Sequence, residues 1–195
     1  QEYTNRMKEI QDKILVFLEK EDNVEENYEN LTTSILINNL EESKHETKSL
    51  LFLISNISNN HYRTPHFFDK IKQILHYIKK YIQKYFTNTE IFEIFHKNSI
   101  LLLYFIEENM LFIDNYIFDK VKKNLIFTNF FNPEIKAFID EERPRPTVTV
   151  SFYDNPNEKD INIFNSKRQI GENGNYINEI IRKDSIEEFI IYVTK

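Results

Sequence analysis

Four histidines near mid-chain, His61, His66, His76 and His96, are the side chains in this sequence best suited to hold a metal ion or relay a proton. Two imidazoles share one helical face only when they lie three or four residues apart. None of these four stands at that spacing, and His61 and His66 are five apart across Pro65. Asp154, Glu158 and Asp160 echo a calcium loop, but the glycine that such a loop needs at its sharp turn is missing and Pro156 occupies a ligand position. The carboxylate pairs Glu107-Glu108 and Glu141-Glu142 are sequence neighbours, which point apart on a helix, so neither makes an acid–base couple. Cysteine is absent, which removes the thiolate as nucleophile, metal ligand or disulfide partner. The only glycines, Gly171 and Gly174, are too few for a phosphate-binding loop or a dinucleotide fingerprint. The sequence therefore predicts no enzyme: no catalytic residue, no cofactor and no metal site can be nominated.

The elements that would position any site are helices. Met7, Ile10, Ile14, Phe17 and Leu18 recur at spacings of three and four and end at Glu21-Asp22-Asn23. Leu31, Ile35, Leu36, Asn39 and Leu40 predict a second helix, and Leu50 to Ile54 with Ile57 a third, apolar almost all round and so expected to be buried. Pro65 is read as the start of the next helix, whose stripe Ile71, Ile74, Leu75, Ile78, Ile82, Tyr85 and Phe86 leaves Lys70, Lys72, Lys79, Lys80 and Lys84 largely on a solvated outer face. Glu90 to Phe95 and Ser99 to Glu107 form a helical pair, and Tyr116 to Lys123 with Pro133 to Asp140 another, with Asn124 to Asn132 as a long turn between them. From Glu141 to Lys167 the character changes to a long loop, in which Val148, Val150 and Phe152 alternate with Thr147, Thr149 and Ser151 as a short β-hairpin would.

Two ten-residue stretches match at six positions, Ile, Glu, Ile, Lys, Ser and Ile. Ile91-Phe92-Glu93-Ile94-Phe95-His96-Lys97-Asn98-Ser99-Ile100 aligns without a gap on Ile177-Asn178-Glu179-Ile180-Ile181-Arg182-Lys183-Asp184-Ser185-Ile186. Each copy runs from a short inner helix through a polar turn into an apolar outer helix, a unit that buries its face only by stacking on a neighbour. Phe92 with His96, and Asn178 with Arg182, are four apart on the inner helices and differ between the copies. They are the candidate protein-binding residues.

The same turn chemistry resembles the second part of a degenerate ankyrin repeat. More broadly, Met7 to Gln11, Glu21 to Tyr28, Ile54 to His61, Glu90 to Phe95, Pro133 to Lys136 and Ile170 to Asn173 together resemble the N-terminal domain of a very large, trichomonad-type family of protist ankyrin-repeat proteins. In that family a helical domain of unknown function precedes the repeats. The resemblance implies an all-α fold: a capping bundle over residues 1–87, degenerate ankyrin-like hairpins over 88–141, a loop insertion over 142–167, and the start of a repeat array over 168–195. It also implies that clearer repeats follow Lys195 and that the domain binds protein; the start at Gln1, without an initiator Met, is separately read as a cut end. It supplies no site residues.

Charge narrows the partners. Residues 1–60 carry 6 basic and 12 acidic side chains, and residues 61–86 carry 6 basic and 1 acidic. An acidic chain, with net charge −6, argues against a dedicated nucleic-acid binder. The apolar runs fall far short of the roughly 20 residues that a membrane-spanning helix needs. A chain without cysteine fits a reducing, intracellular and cytoplasmic setting. The expected function is a non-enzymatic adaptor for a protein partner whose identity the sequence does not specify. The alternatives are a structural cap for the repeats, or contact of the Lys-rich helix over residues 69–86 with an anionic membrane or nucleic acid.

Overall fold

The computed structural model describes residues 2–40, 42–61 and 66–142, and all regular structure among them is α-helical. The chain divides into two compact units, residues 1–112 and 113–195. The first holds α1 (Glu2–Glu19), α2 (Val24–Ile37), α3 (Lys44–Asn60), α4 (Phe67–Tyr77), α5 (Lys79–Tyr85), α6 (Asn88–Phe95) and α7 (Ser99–Glu107). The described part of the second holds α8 (Asn115–Val121), α9 (Leu125–Phe130) and α10 (Asn132–Glu142). The hairpin of α6 and α7 thus clusters with the helices before it, whereas the sequence places a boundary after residue 87. The reason is packing: α6 lies on α3 and α7 lies on α4. The predicted loop with its β-hairpin and the second copy of the repeat lie outside the described residues.

Helices α1 and α2 form an antiparallel hairpin, recorded in the pairs Arg6–Asn38, Lys13–Ser34 and Phe17–Tyr28. The predicted stripe of α1 is the one buried: Ile10, Ile14, Phe17 and Leu18 are fully enclosed, with Leu31 and Ile35 of α2 also in the core. Helix α4 runs parallel to α2, since the Tyr28 hydroxyl donates to the Gln73 carbonyl and the Tyr77 hydroxyl to the Thr32 carbonyl. Helix α6 runs parallel to α3, tied by Ser55 Oγ to the Ile94 carbonyl at 2.7 Å and by Asn98 Nδ2 to the Ser58 carbonyl. Short polar side chains start several helices by accepting a backbone N–H: Ser43 for α3, Asn98 for α7 and Asp114 for α8. Thr87 and Glu90 make a full capping box for α6. In the second unit Phe118 packs on Phe138 at 5.4 Å between ring centroids, and Phe131 and Ile135 are buried.

The chain reverses direction without glycine. After α2, Asn39 takes the left-handed conformation (φ 52°), its N–H reaches the Leu36 carbonyl, and the Leu40 N–H reaches the Ile35 carbonyl at 3.1 Å. After α7 the pattern repeats with Asn109 (φ 54°): its N–H reaches the Ile106 carbonyl, and the Met110 N–H reaches the Phe105 carbonyl at 2.8 Å. Both are Schellman turns, and the apolar residues at the two positions that motif brings together, Leu40 and Ile35, Met110 and Phe105, are buried. Asparagine is the non-glycine residue that tolerates this conformation best.

Three expectations need correction. The helix predicted through Ile71 to Phe86 is two helices, because the backbone turns at Ile78 (φ −95°, ψ 7°). Ile74, Ile78 and Ile82 nevertheless all stay in the core. The apolar α3 is not buried all round: Phe52 is 45% exposed on the side away from Leu50, Leu51 and Ile54. The long turn expected from Asn124 to Asn132 contains α9, started by the Asn124 side chain accepting from the Phe127 N–H.

Replacing Asn39 or Asn109 by alanine should lower unfolding free energy by about 1 kcal/mol each, whereas glycine should leave it equal or raise it. Urea unfolding of the four variants checks this. Equal stability of the alanine and glycine variants would contradict the assignment of the two turns.

Candidate functional site

Of the four candidate residues named from the sequence, Phe92 and His96 are among the described residues. Phe92 is only 5% exposed, and its neighbours Ile91, Ile94 and Phe95 are buried with it. Helix α6 packs against both α3 and α7, so this inner-helix candidate position is enclosed. His96 is exposed at the C-terminal cap of α6, with Nδ1 2.7 Å from the Glu93 carbonyl oxygen. Asn178 and Arg182 lie outside the described residues.

The lysines of α4 and α5 do not form one solvated face either. Lys70 is only 7% exposed. Its Nζ donates to the Lys20 carbonyl at 2.7 Å and the Leu18 carbonyl at 3.4 Å, and it stands 5.6 Å from the centre of the Phe17 ring. A lysine from α4 thereby caps the carbonyls left unpaired at the end of α1, where the helix dipole favours a cation. Lys79 meets Glu108 at 2.7 Å, with His76 3.9 Å from the same carboxylate oxygen. The hydrogen bond from Lys79 holds the Glu108 carboxyl below its ordinary range. Beside it, the Tyr104 hydroxyl donates to the Lys72 carbonyl, and burial, reinforced by the Glu108 charge, pushes it up to about 12. On α3 and α6, Lys44 bonds Glu90 at 2.7 Å and lowers its carboxyl, helped by the Thr87 N–H.

These groups hold helices together. A cleft of about 590 Å³ is lined by Glu21, Val24, His66, Asp69, Lys70 and Gln73. In it the Lys70 ammonium serves the α1 carbonyls, and His66 and Asp69 form an exposed pair at 3.4 Å with no nucleophile beside them. Among the described residues no three His, Asp or Glu side chains are grouped so as to hold a metal ion, and no helix is long and apolar enough to cross a membrane.

What the fold leaves unused is apolar. At the end of α2, Leu36 is 57% and Ile37 73% exposed. The sequence pattern counts Leu36 as part of the buried stripe, but the core is served by Leu31, Ile35 and Leu40. The parallel register of α2 with α4 sets Tyr28 beside Gln73 and Thr32 beside Tyr77, and the Tyr85 hydroxyl reaches the Glu42 carbonyl at 2.7 Å. On α5, Lys80 and Lys84 each stand 4.7 Å from a tyrosine ring centre, Tyr81 and Tyr85. Two adjacent exposed aliphatics on a helix have the composition of a contact surface. The signal available in the sequence was Ile37, which falls off the helical stripe set by Leu31 and Ile35.

No family model, curated protein or solved structure matches this chain.

The ionic ties predict the pH response. Glu90 and Glu108 are lowered in the folded state, so their stabilisation is full above their ordinary value of 4.5 and is lost as pH falls through the lower folded values. Tyr104 is raised, so the folded form keeps its proton longer and stability falls as pH rises from 10 to about 12. Urea midpoints measured across both ranges should show a shallower acid limb for Lys79→Met and a shallower alkaline limb for Tyr104→Phe. Parallel curves for wild type and variants would contradict these assignments.

Proposed function

We propose that the domain is a non-enzymatic protein-interaction module. Leu36 and Ile37 carry this reading: two large aliphatic side chains stand exposed side by side on a helix whose core contacts do not use them. An adaptor needs only a rigid, partly apolar face. The end of α2 is rigid for stated reasons, since its last carbonyls are closed by the turn at Asn39 and its flank is bonded to Tyr77. The resemblance to the domain that precedes ankyrin repeats favours the same reading, with the domain working beside a repeat array that binds other proteins. The cysteine-free composition fits work in a reducing, cytoplasmic setting.

The test is affinity capture from cell extract with the wild-type chain and with a Leu36→Glu, Ile37→Glu variant. A defined protein retained by the wild type and lost by the variant is expected. The variant's melting temperature should be unchanged, as surface substitutions outside the core usually shift stability by no more than about 0.5 kcal/mol. Equal capture by both proteins would overturn the assignment of this face.

A further inference from the structure

Resting on that reading of the α2 face, we propose that the partner it takes is a cationic amphipathic helix of another protein, seated with its apolar residues on Leu36 and Ile37 and its basic residues over Glu25 and Glu29. The spacing within α2 builds this surface. Glu25, Glu29 and Leu36 are four and then seven residues apart and so share one stripe, and Glu26, Thr33 and Ile37 share the stripe beside it. All six are exposed. At 1.5 Å per residue, Glu29 and Glu25 lie about 10 Å and about 16 Å along the axis from Leu36. A helix laid alongside α2 therefore meets both features when its basic residues stand seven and eleven positions from its apolar anchor.

The charge of the partner follows from what accompanies the apolar pair. From Glu21 to Ser43 the chain holds seven carboxylates and no basic residue, and past the turn Glu42 is exposed as well. Among the described residues Glu25, Glu26, Glu29 and Glu42 form no ion pair. Arg6 at the Asn38 carbonyl and Lys13 at Ser34 reach α2 from the α1 side, and they are held by Glu46 and Glu9. The helix dipole accounts for Glu25 and Glu26, which stand in the first turn. It does not account for Glu29, one turn further on, where the like charge of Glu25 four residues away repels it. An apolar anchor among unpaired carboxylates selects a partner that brings both aliphatic surface and positive charge, and it repels acidic segments and anionic lipid. The face is small, so the complex is a weak one whose strength depends on salt.

Fluorescence anisotropy with the full chain tests this, using two labelled synthetic helical peptides that carry a Leu-Ile anchor at one end or the other and lysines seven and eleven positions from it. At least one should bind, and more weakly as salt rises. Leu36→Ser with Ile37→Ser removes apolar surface without altering charge and should weaken binding about tenfold, as should Glu25→Lys with Glu29→Lys, both with an unchanged circular dichroism spectrum. The same peptide with glutamate in place of its lysines should be ignored by the wild type and bound by the charge-reversed variant, a rescue that no folding defect can mimic. Failure of both peptides overturns the proposal, as does binding indifferent to Leu36 and Ile37 or a charge swap without rescue. A dimer in sedimentation velocity, or flotation with phosphatidylserine vesicles, that the serine variant abolishes puts a second copy or an anionic membrane on this face and overturns it too. If a protein is captured from extract through Leu36 and Ile37 yet neither peptide binds, the face is a binding surface and only the cationic-helix assignment fails.

Discussion

The first unit depends on one buried ammonium. Lys70 reaches from the first turns of α4 to the carbonyls of Leu18 and Lys20 and lies over Phe17. An unpaired charge inside a protein is strongly unfavourable, and so is a helix end buried with its carbonyls unmet. Here each solves the other's problem. The contact joins residues 50 apart in sequence and sets where α4 crosses the end of the α1–α2 hairpin. Once α4 is placed, the hydrogen bonds from Tyr28 and Tyr77 fix its register against α2, and α7 follows α4 through Tyr104 and the Lys79–Glu108 pair.

The exposed end of α2 is a consequence of this arrangement. The hairpin buries one side of α2 against α1, and α4 bonds to its flank, so the stripe that ends in Leu36 and the stripe that ends in Ile37 remain outside. The turn at Asn39 then carries Leu40 back into the core, which leaves the last two helical side chains unused. Lys70, the Lys79–Glu108 pair and the Lys44–Glu90 pair meanwhile tie helices together.

Local patterns were legible in the sequence because they are local. The stripe Ile10, Ile14, Phe17 and Leu18 is buried as its period demands, and the paired helices α6 and α7 break at the polar residues expected to break them. Non-local facts were not legible. Nothing in the spacing of Lys70 tells that its stem crosses to another helix, because lysine serves equally on a solvated face. Phe92 reads as a recognition position on its inner helix until α3 and α7 are known to pack against α6. The break at Ile78 is hidden because the isoleucine period runs through it unaltered. Leu36 was assigned to the core since periodicity tells which side chains favour burial, and the number of neighbouring helices decides how many find it. The second half of the repeat, with Asn178 and Arg182, lies beyond the described residues.

The most direct test of this account is the effect of Lys70→Met on unfolding and on amide hydrogen exchange. Methionine keeps most of the apolar stem and removes the ammonium, so two carbonyls at the end of α1 lose their donor. The account predicts a loss of about 1–3 kcal/mol, the range for stranding such groups, with exchange accelerated first at the end of α1 and the start of α4. A variant as stable as the wild type, with unchanged protection in those two segments, would contradict the claim that this lysine places α4 and everything that follows from it.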